Sequence, residues 1–152
     1  MNMEINIKKI GETKINGVRY HLAKPESYKE AYFEWTALPL ITPFQHSEIM
    51  NGILQGWHHT PVFSEIEYHE DYEQFYFFQG DCFMYFVDLK DGTPDLSTSQ
   101  IVYIPEGTQL DIAPNKGHFI AVADKDTFKA MVTSPKQDAP RIQLAETVKG
   151  VF

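Results

Sequence analysis

From residue 49 onward the chain is a run of short segments rich in aromatic and β-branched residues, separated at even intervals by turn residues. The segments are Ile49–His58, Val62–His69, Glu73–Phe78, Cys82–Leu89, Gln100–Ile104, Gln109–Ala113, Phe119–Val122 and Phe128–Thr133. Thr60-Pro61, Gln79-Gly80-Asp81, Asp91-Gly92-Thr93-Pro94, Pro105-Glu106-Gly107, Pro114-Asn115 and Asp124-Lys125 lie between them. Strands this short and this regularly spaced predict an all-β antiparallel sandwich or barrel. Ahead of them, Met3–Ile10 and Val18–Leu22 read as strands around a turn at Asn16-Gly17, and Pro25-Glu26-Ser27-Tyr28 reads as a helix start, with Ala31, Tyr32 and Trp35 on one side. The expected division is a single domain over residues 1–152, with a barrel core at 45–135 and a C-terminal arm at 136–152.

Charge and composition exclude several classes of partner. A net charge of −8 with scattered basic residues argues against nucleic acid and anionic membrane. The apolar runs Phe75–Phe78 and Cys82–Val87 are far too short to span a bilayer. Cys82 is the only cysteine, so no internal disulfide forms, and the chain reads as soluble and cytoplasmic. Cys82 itself reads as a buried small hydrophobe. Tyr76 and the neighbouring aromatics read as core and subunit-interface residues, Tyr76 also as a substrate contact.

Chemistry concentrates at Glu67-x-His69, four residues before Glu73 and eleven before Gly80, with His118 following the turn Pro114-Asn115. Residues 67, 69, 71 and 73 share one face of an extended strand, and a barrel interior gathers such a face around a point. Two carboxylates and two imidazoles there supply an N2O2 set for Zn, Mn, Fe or Ni, and the residue types do not choose among these ions. Without metal, Glu67, His69 and His118 can act as acid and base. His58 is a further candidate for the pocket; His59 and His46 are weaker ones.

This spacing resembles the first motif of the cupin barrels, with Glu67 where the commonest version has a His, and His118 stands where the second motif supplies a ligand. Within that superfamily, residues 45–125 resemble ureidoglycolate lyase. The resemblance rests on Glu67-x-His69 followed by Gln74, on Gly80, on the apolar stretch Phe83–Val87, and on Pro94-Asp95-Leu96-Ser97-Thr98 after a Gly-Asp turn. At the second motif that family has Trp-His-His-Pro, and this chain has Lys116-Gly117-His118-Phe119. The resemblance implies a single cupin (double-stranded β-helix, jelly-roll) barrel with a short N-terminal strand and helix, and a homodimer. It implies a small hydroxy- or keto-acid substrate cleaved by elimination, ureidoglycolate giving glyoxylate and urea. His69 or Glu67 would be the base, His118 or Glu73 the acid, and Gln74 a substrate contact. Cupin spacing favours Glu73 as the inward residue and the lyase resemblance favours Gln74. A metal-dependent cupin isomerase or dioxygenase, and a non-catalytic cupin that binds a sugar or organic acid, are the alternative readings.

Overall fold

The computed structural model describes residues 2–22 and 26–152. Its strands are β1 (Asn2–Asn6), β2 (Lys8–Lys9), β3 (Val18–His21), β4 (Ser27–Lys29), β5 (Glu34–Thr36), β6 (Ile49–Trp57), β7 (Val62–Glu67) and β8 (Glu73–Gln79). They continue with β9 (Cys82–Lys90), β10 (Thr93–Ile104), β11 (Gln109–Ile112), β12 (Gly117–His118), β13 (Val122–Ala123), β14 (Thr127–Pro135) and β15 (Arg141–Val151). The larger sheet runs β1-β15-β7-β12-β9-β10-β2, with β13 also on β9, and the smaller runs β3-β11-β8-β14-β6. This is the all-β, nearly closed cupin barrel expected from the sequence.

Strand β9 explains the architecture. Cys82, Met84 and Phe86 point into the core between the two sheets, where they meet Phe77, Leu110, Ile112 and Phe128. Phe83, Tyr85 and Val87 alternate to the other face and join Phe63, Ile66, Ile101 and Val148. A strand buried on both faces reads as an unbroken apolar run, which is what residues 82–87 are. Each fully buried Phe in these clusters contributes about 1.5–3 kcal/mol by leaving water.

The outer cluster is covered because the two edges of the larger sheet come together. Its edges, β1 and β2, are consecutive pieces of chain joined by Ile7, whose N–H donates to Val151 O at 2.8 Å. β1 pairs in parallel with β15, from Asn2↔Thr147 to Asn6↔Val151, while β2 pairs in parallel with β10 at Val102 and Tyr103. Met3, Ile5 and Ile7 pack on the outer cluster.

Turn chemistry fits the sequence where it sets a hairpin. Asp91 and Gly92 both have positive φ, 52° and 76°, the two-residue turn whose twist matches a β9–β10 hairpin. Gly80, at φ 78°, is required twice over, since a Cβ there would lie 2.5 Å from Thr127 O.

Several expectations change. The segment expected as a helix is the hairpin β4–β5, with Tyr28 opposite Trp35; Pro25 lies outside the described residues. Its aromatics are spaced closely enough to suit either period, and pairing across the turn decides the outcome. The only helical turn among the described residues is the short 3-10 turn Ile10–Glu12. The expected arm at 136–152 contains β15, which sits between β1 and β7, because its alternating apolar residues complete the outer cluster. The strand expected over Phe119–Val122 is two short pieces, β12 and β13, with residues 119–121 outside both. No helix of the described residues is long and apolar enough to cross a membrane.

Candidate metal centre

β7 ends at Glu67, whose register partner on β12 is His118, so the two side chains emerge side by side on the barrel interior. The chain then leaves the sheet. Residues 68–72 form an irregular link to the second sheet, and β8 begins at Glu73. This link brings His69 and Glu73 back toward Glu67, so one ligand atom from each of Glu67, His69, Glu73 and His118 lies within 4.8 Å of the others. The distances from His69 Nε2 are 3.3 Å to Glu73 Oε2 and 4.0 Å to Glu67 Oε1. From His118 Nε2 they are 3.5 Å to Glu73 Oε1 and 3.7 Å to Glu67 Oε1. All four residues expected to ligate a metal are therefore brought together.

The backbone orients both rings. His69 Nδ1–H donates to Asp138 O and His118 Nδ1–H to Lys116 O, each at 2.9 Å. With the proton held on Nδ1 by a carbonyl, a neutral ring presents a bare lone pair at Nε2. Both Nε2 atoms are buried, and neither has a hydrogen-bond partner. Asn115 adds a tie: in the left-handed conformation at φ 63°, it donates its N–H to His69 O at 2.9 Å. The turn before His118 thus holds the loop that carries His69.

The electrostatics follow from these contacts. Burial works against a charged His69, but the contact with Glu73 and its charge, with the Asp138 carbonyl and Glu67 adding to them, raise the ring to about 9. Burial also works against a charged Glu73, and the two imidazoles outweigh it, holding the carboxyl down to about 2. When the rings are neutral, two ionised carboxylates and two nitrogen lone pairs face one another. A cation at the centre relieves that repulsion and gives both orphaned nitrogens a partner. The donor set and the fixed tautomers fit a divalent ion.

Two cavities flank the cluster, and both are lined by Glu67, Glu73 and Val132. One, of about 290 Å³, adds His69, Met50, Gly52, Lys136 and Gln137. The other, of about 190 Å³, adds His118, Leu54, Phe75, Met84 and Phe119. Met50, Gly52 and Leu54 alternate along the edge strand β6, which walls both compartments.

The structure does not bring the expected substrate contacts here. Gln74 follows Glu73 in β8 and so faces the other way, where its Nε2 donates to Leu40 O at 3.0 Å and Thr42 Oγ1 at 2.8 Å. Tyr76 shares that outer face and sits near Phe78. His58, just past β6, donates from Nδ1 to Ala123 O at 2.9 Å and lines neither cavity. Asp71, expected to share the face of Glu67 and Glu73, turns away and accepts from the N–H groups of Gln45, His46 and Tyr72 and from His46 Nδ1. The groups that orient the rings, Asp138 O and Lys116 O, were not foreseen, because any residue carries a carbonyl. Met84 and Phe119 carried only an apolar signal.

No family model matches the chain, and no curated protein matches it. Among solved structures, it is similar to dTDP-6-deoxy-D-glucose-3,5-epimerase RmlC from Legionella pneumophila, solved with dTDP-4-keto-L-rhamnose. The TM-score is 0.51 at 13% identity, over 84% of this chain and 70% of that one. A dTDP sugar isomerase from Desulfovibrio desulfuricans aligns with a TM-score of 0.49 at 14% identity, over 89% of this chain and 84% of that one. At such identities the first likeness shows the cupin fold and nothing finer.

Proposed function

We propose that the protein is a divalent-metal cupin enzyme acting on a small, oxygen-rich molecule, a hydroxy- or keto-acid or a sugar-like compound. One observation carries this reading: two buried imidazole nitrogens, each with its tautomer fixed from behind, point without partners at two carboxylates. Glu67, His69, Glu73 and His118 would hold the ion. When bound, it supplies Lewis acidity to a carbonyl or hydroxyl oxygen of the substrate. The carboxylates have a second role, because a Glu that ligates through one oxygen keeps the other free to take or return a proton at the substrate. Isomerisation and elimination both need such a shuttled proton. An isomerase-type reaction is preferred to urea release, since Gln74, on which the lyase resemblance partly rests, faces away from the site.

A second reading uses the same residues without metal. Glu73 lies 3.3 Å from His69, which is raised to about 9, so a charged imidazolium beside an ionised carboxylate forms a ready acid–base pair. Elemental analysis of protein purified without chelator, alongside His69→Ala, decides between them. Near one equivalent of a transition metal, lost in the variant, supports the metal enzyme. Folded, metal-free wild type with a His69 imidazole titrating near 9 supports acid–base chemistry.

The partner expected beyond the substrate is a second copy of the chain. The hairpin β4–β5 pairs with neither main sheet and leaves Tyr28, Tyr32, Phe33 and Trp35 exposed, while Ile53, Trp57 and Met131 are exposed on or beside the edge strand β6. So much exposed aromatic surface supports an interface.

A further inference from the structure

Of the nine glycines in the chain, Gly52 is the one whose identity the fold does not explain. Gly17, Gly80, Gly92 and Gly107 have positive φ. At Gly11, Gly56, Gly117 and Gly150, a Cβ would come within 3 Å of neighbouring atoms, the Phe128 ring in the case of Gly56. At Gly52 a Cβ would meet nothing within 4 Å, and φ lies outside the left-handed region. Gly52 also sits in the middle of β6, where glycine weakens a strand relative to any residue with a side chain.

Gly52 lines the larger cavity with Glu67, His69 and Glu73. The wall beside the cluster is thus bare where nothing within the chain needs it bare. A glycine in a strand interior marks a place where something else approaches the backbone closely. The cavity's charges indicate what approaches. Its charged lining consists of Glu67, Glu73 and Lys136, besides the titratable His69. A divalent ion balances the two carboxylates, which leaves Lys136 as the unbalanced positive charge of the cavity lining.

We propose that Gly52 is the specificity-determining position of this site. The ligand it admits is an oxygen chelator longer than the metal cluster, whose body crosses β6 over Gly52 and whose other end is an anionic group met by Lys136. The inference rests on the metal-enzyme reading and goes beyond it in giving the substrate its length and the charge of its distal end.

The test uses Co(II)-loaded protein and two probes read by the cobalt visible spectrum, acetohydroxamate and 4-carboxybenzohydroxamate. Wild type is expected to prefer the longer, charged probe by about tenfold or more, as a well-placed anchor contact allows. Gly52→Leu should remove about tenfold of that preference, and Gly52→Ala a smaller part, with cobalt stoichiometry and near-UV circular dichroism unchanged. Gln55→Ser, three residues along on the opposite, exposed face of β6, should leave the preference within about twofold. Stoichiometric cobalt with no preference in wild type, or with a preference that Gly52→Leu and Gly52→Ala leave intact, overturns the inference. Equal weakening of both probes also overturns it, because the position then acts on the metal and not on the ligand's body. Failure to bind cobalt at all is a different result and removes the metal reading itself.

Discussion

Glu67 and His118 are direct cross-strand partners, and Glu67 Oε1 stands 3.7 Å from His118 Nε2 and 4.0 Å from His69 Nε2. One carboxylate thus faces both imidazoles from the end of β7. Glu67→Gln keeps the shape and removes the charge. It should weaken metal binding by at least the roughly 10–100-fold that loss of an outer-shell partner typically costs. Competition against a chromophoric chelator measures this, and unchanged affinity would remove Glu67 from the ligand set.

The pH dependence of the apoprotein has two limbs. His69 is raised to about 9, above its unfolded value of 6.5, so its stabilisation is full below 6.5 and fades as pH climbs toward 9. Glu73 is depressed to about 2 from 4.5, so its contribution is full above 4.5 and is lost as pH falls toward 2. The melting temperature of metal-free protein should therefore peak between about 4.5 and 6.5. Metal demands deprotonated rings, so the stabilisation on adding Zn(II) should grow as pH rises through the range where His69 loses its proton. A flat or falling increment from pH 6 to about 9 would contradict the imidazole ligation.

Glu73 and Gln74 are neighbours with opposite duties, which a matched pair of variants can separate. Glu73→Gln should reduce metal content, whereas Gln74→Ala should leave it unchanged. Gln74→Ala should cost about 1 kcal/mol of stability for the contacts its amide makes to Leu40 O and Thr42 Oγ1. Metal analysis and urea denaturation of both proteins provide the check.

Asp71 holds the segment before β6 through several hydrogen bonds. Its carboxylate is buried, yet the N–H groups of Gln45, Tyr72 and His46 together with the His46 ring outweigh that burial and keep its pKa low. Asp71→Ala removes the acceptor for all of these donors and should cost about 1.5–3 kcal/mol, the range for hydrogen bonds to a charged group. Denaturant unfolding should show a far larger loss than for Asp95→Ala, whose carboxylate is exposed and bonds only within its own turn.

If the exposed aromatics of the β4–β5 hairpin meet a second copy, the double substitution Tyr32→Ser with Trp35→Ser should convert a dimer to a monomer without unfolding the barrel. Sedimentation velocity over a concentration series reads the change. A wild type that stays monomeric at high concentration dismisses the interface.

The barrel and the four-residue cluster were legible because they rest on local signals. Strand runs, Asp-Gly and Gly80 turns, and the Glu67-x-His69 spacing all act over a few residues. The choice between Glu73 and Gln74 was not legible, because residues 68–72 leave the strand and alternation cannot be counted across an irregular link. The hairpin at 27–36 and the strand β15 were misread for a related reason. Tyr28 finds Trp35 across a turn, and β15 finds β1 and β7 from the far end of the chain, so distant partners decided both. His58 and Tyr76 line neither cavity beside the cluster, and residue type alone does not say which face of a sheet a side chain will occupy.

The parallel pairing of β1 with β15 also sets an order of assembly. β1 is made before β15 and must wait for it while the intervening strands are synthesised, exposing an unpaired edge in the meantime. His69 waits as well, because the carbonyl that fixes its tautomer, Asp138 O, lies 69 residues further on. A nascent chain with the barrel strands complete but no β15 can collapse around its core, yet it cannot seal the outer sheet. The cluster of Glu67, His69, Glu73 and His118 is thus completed late, only once the segment that carries Asp138 has arrived to orient His69.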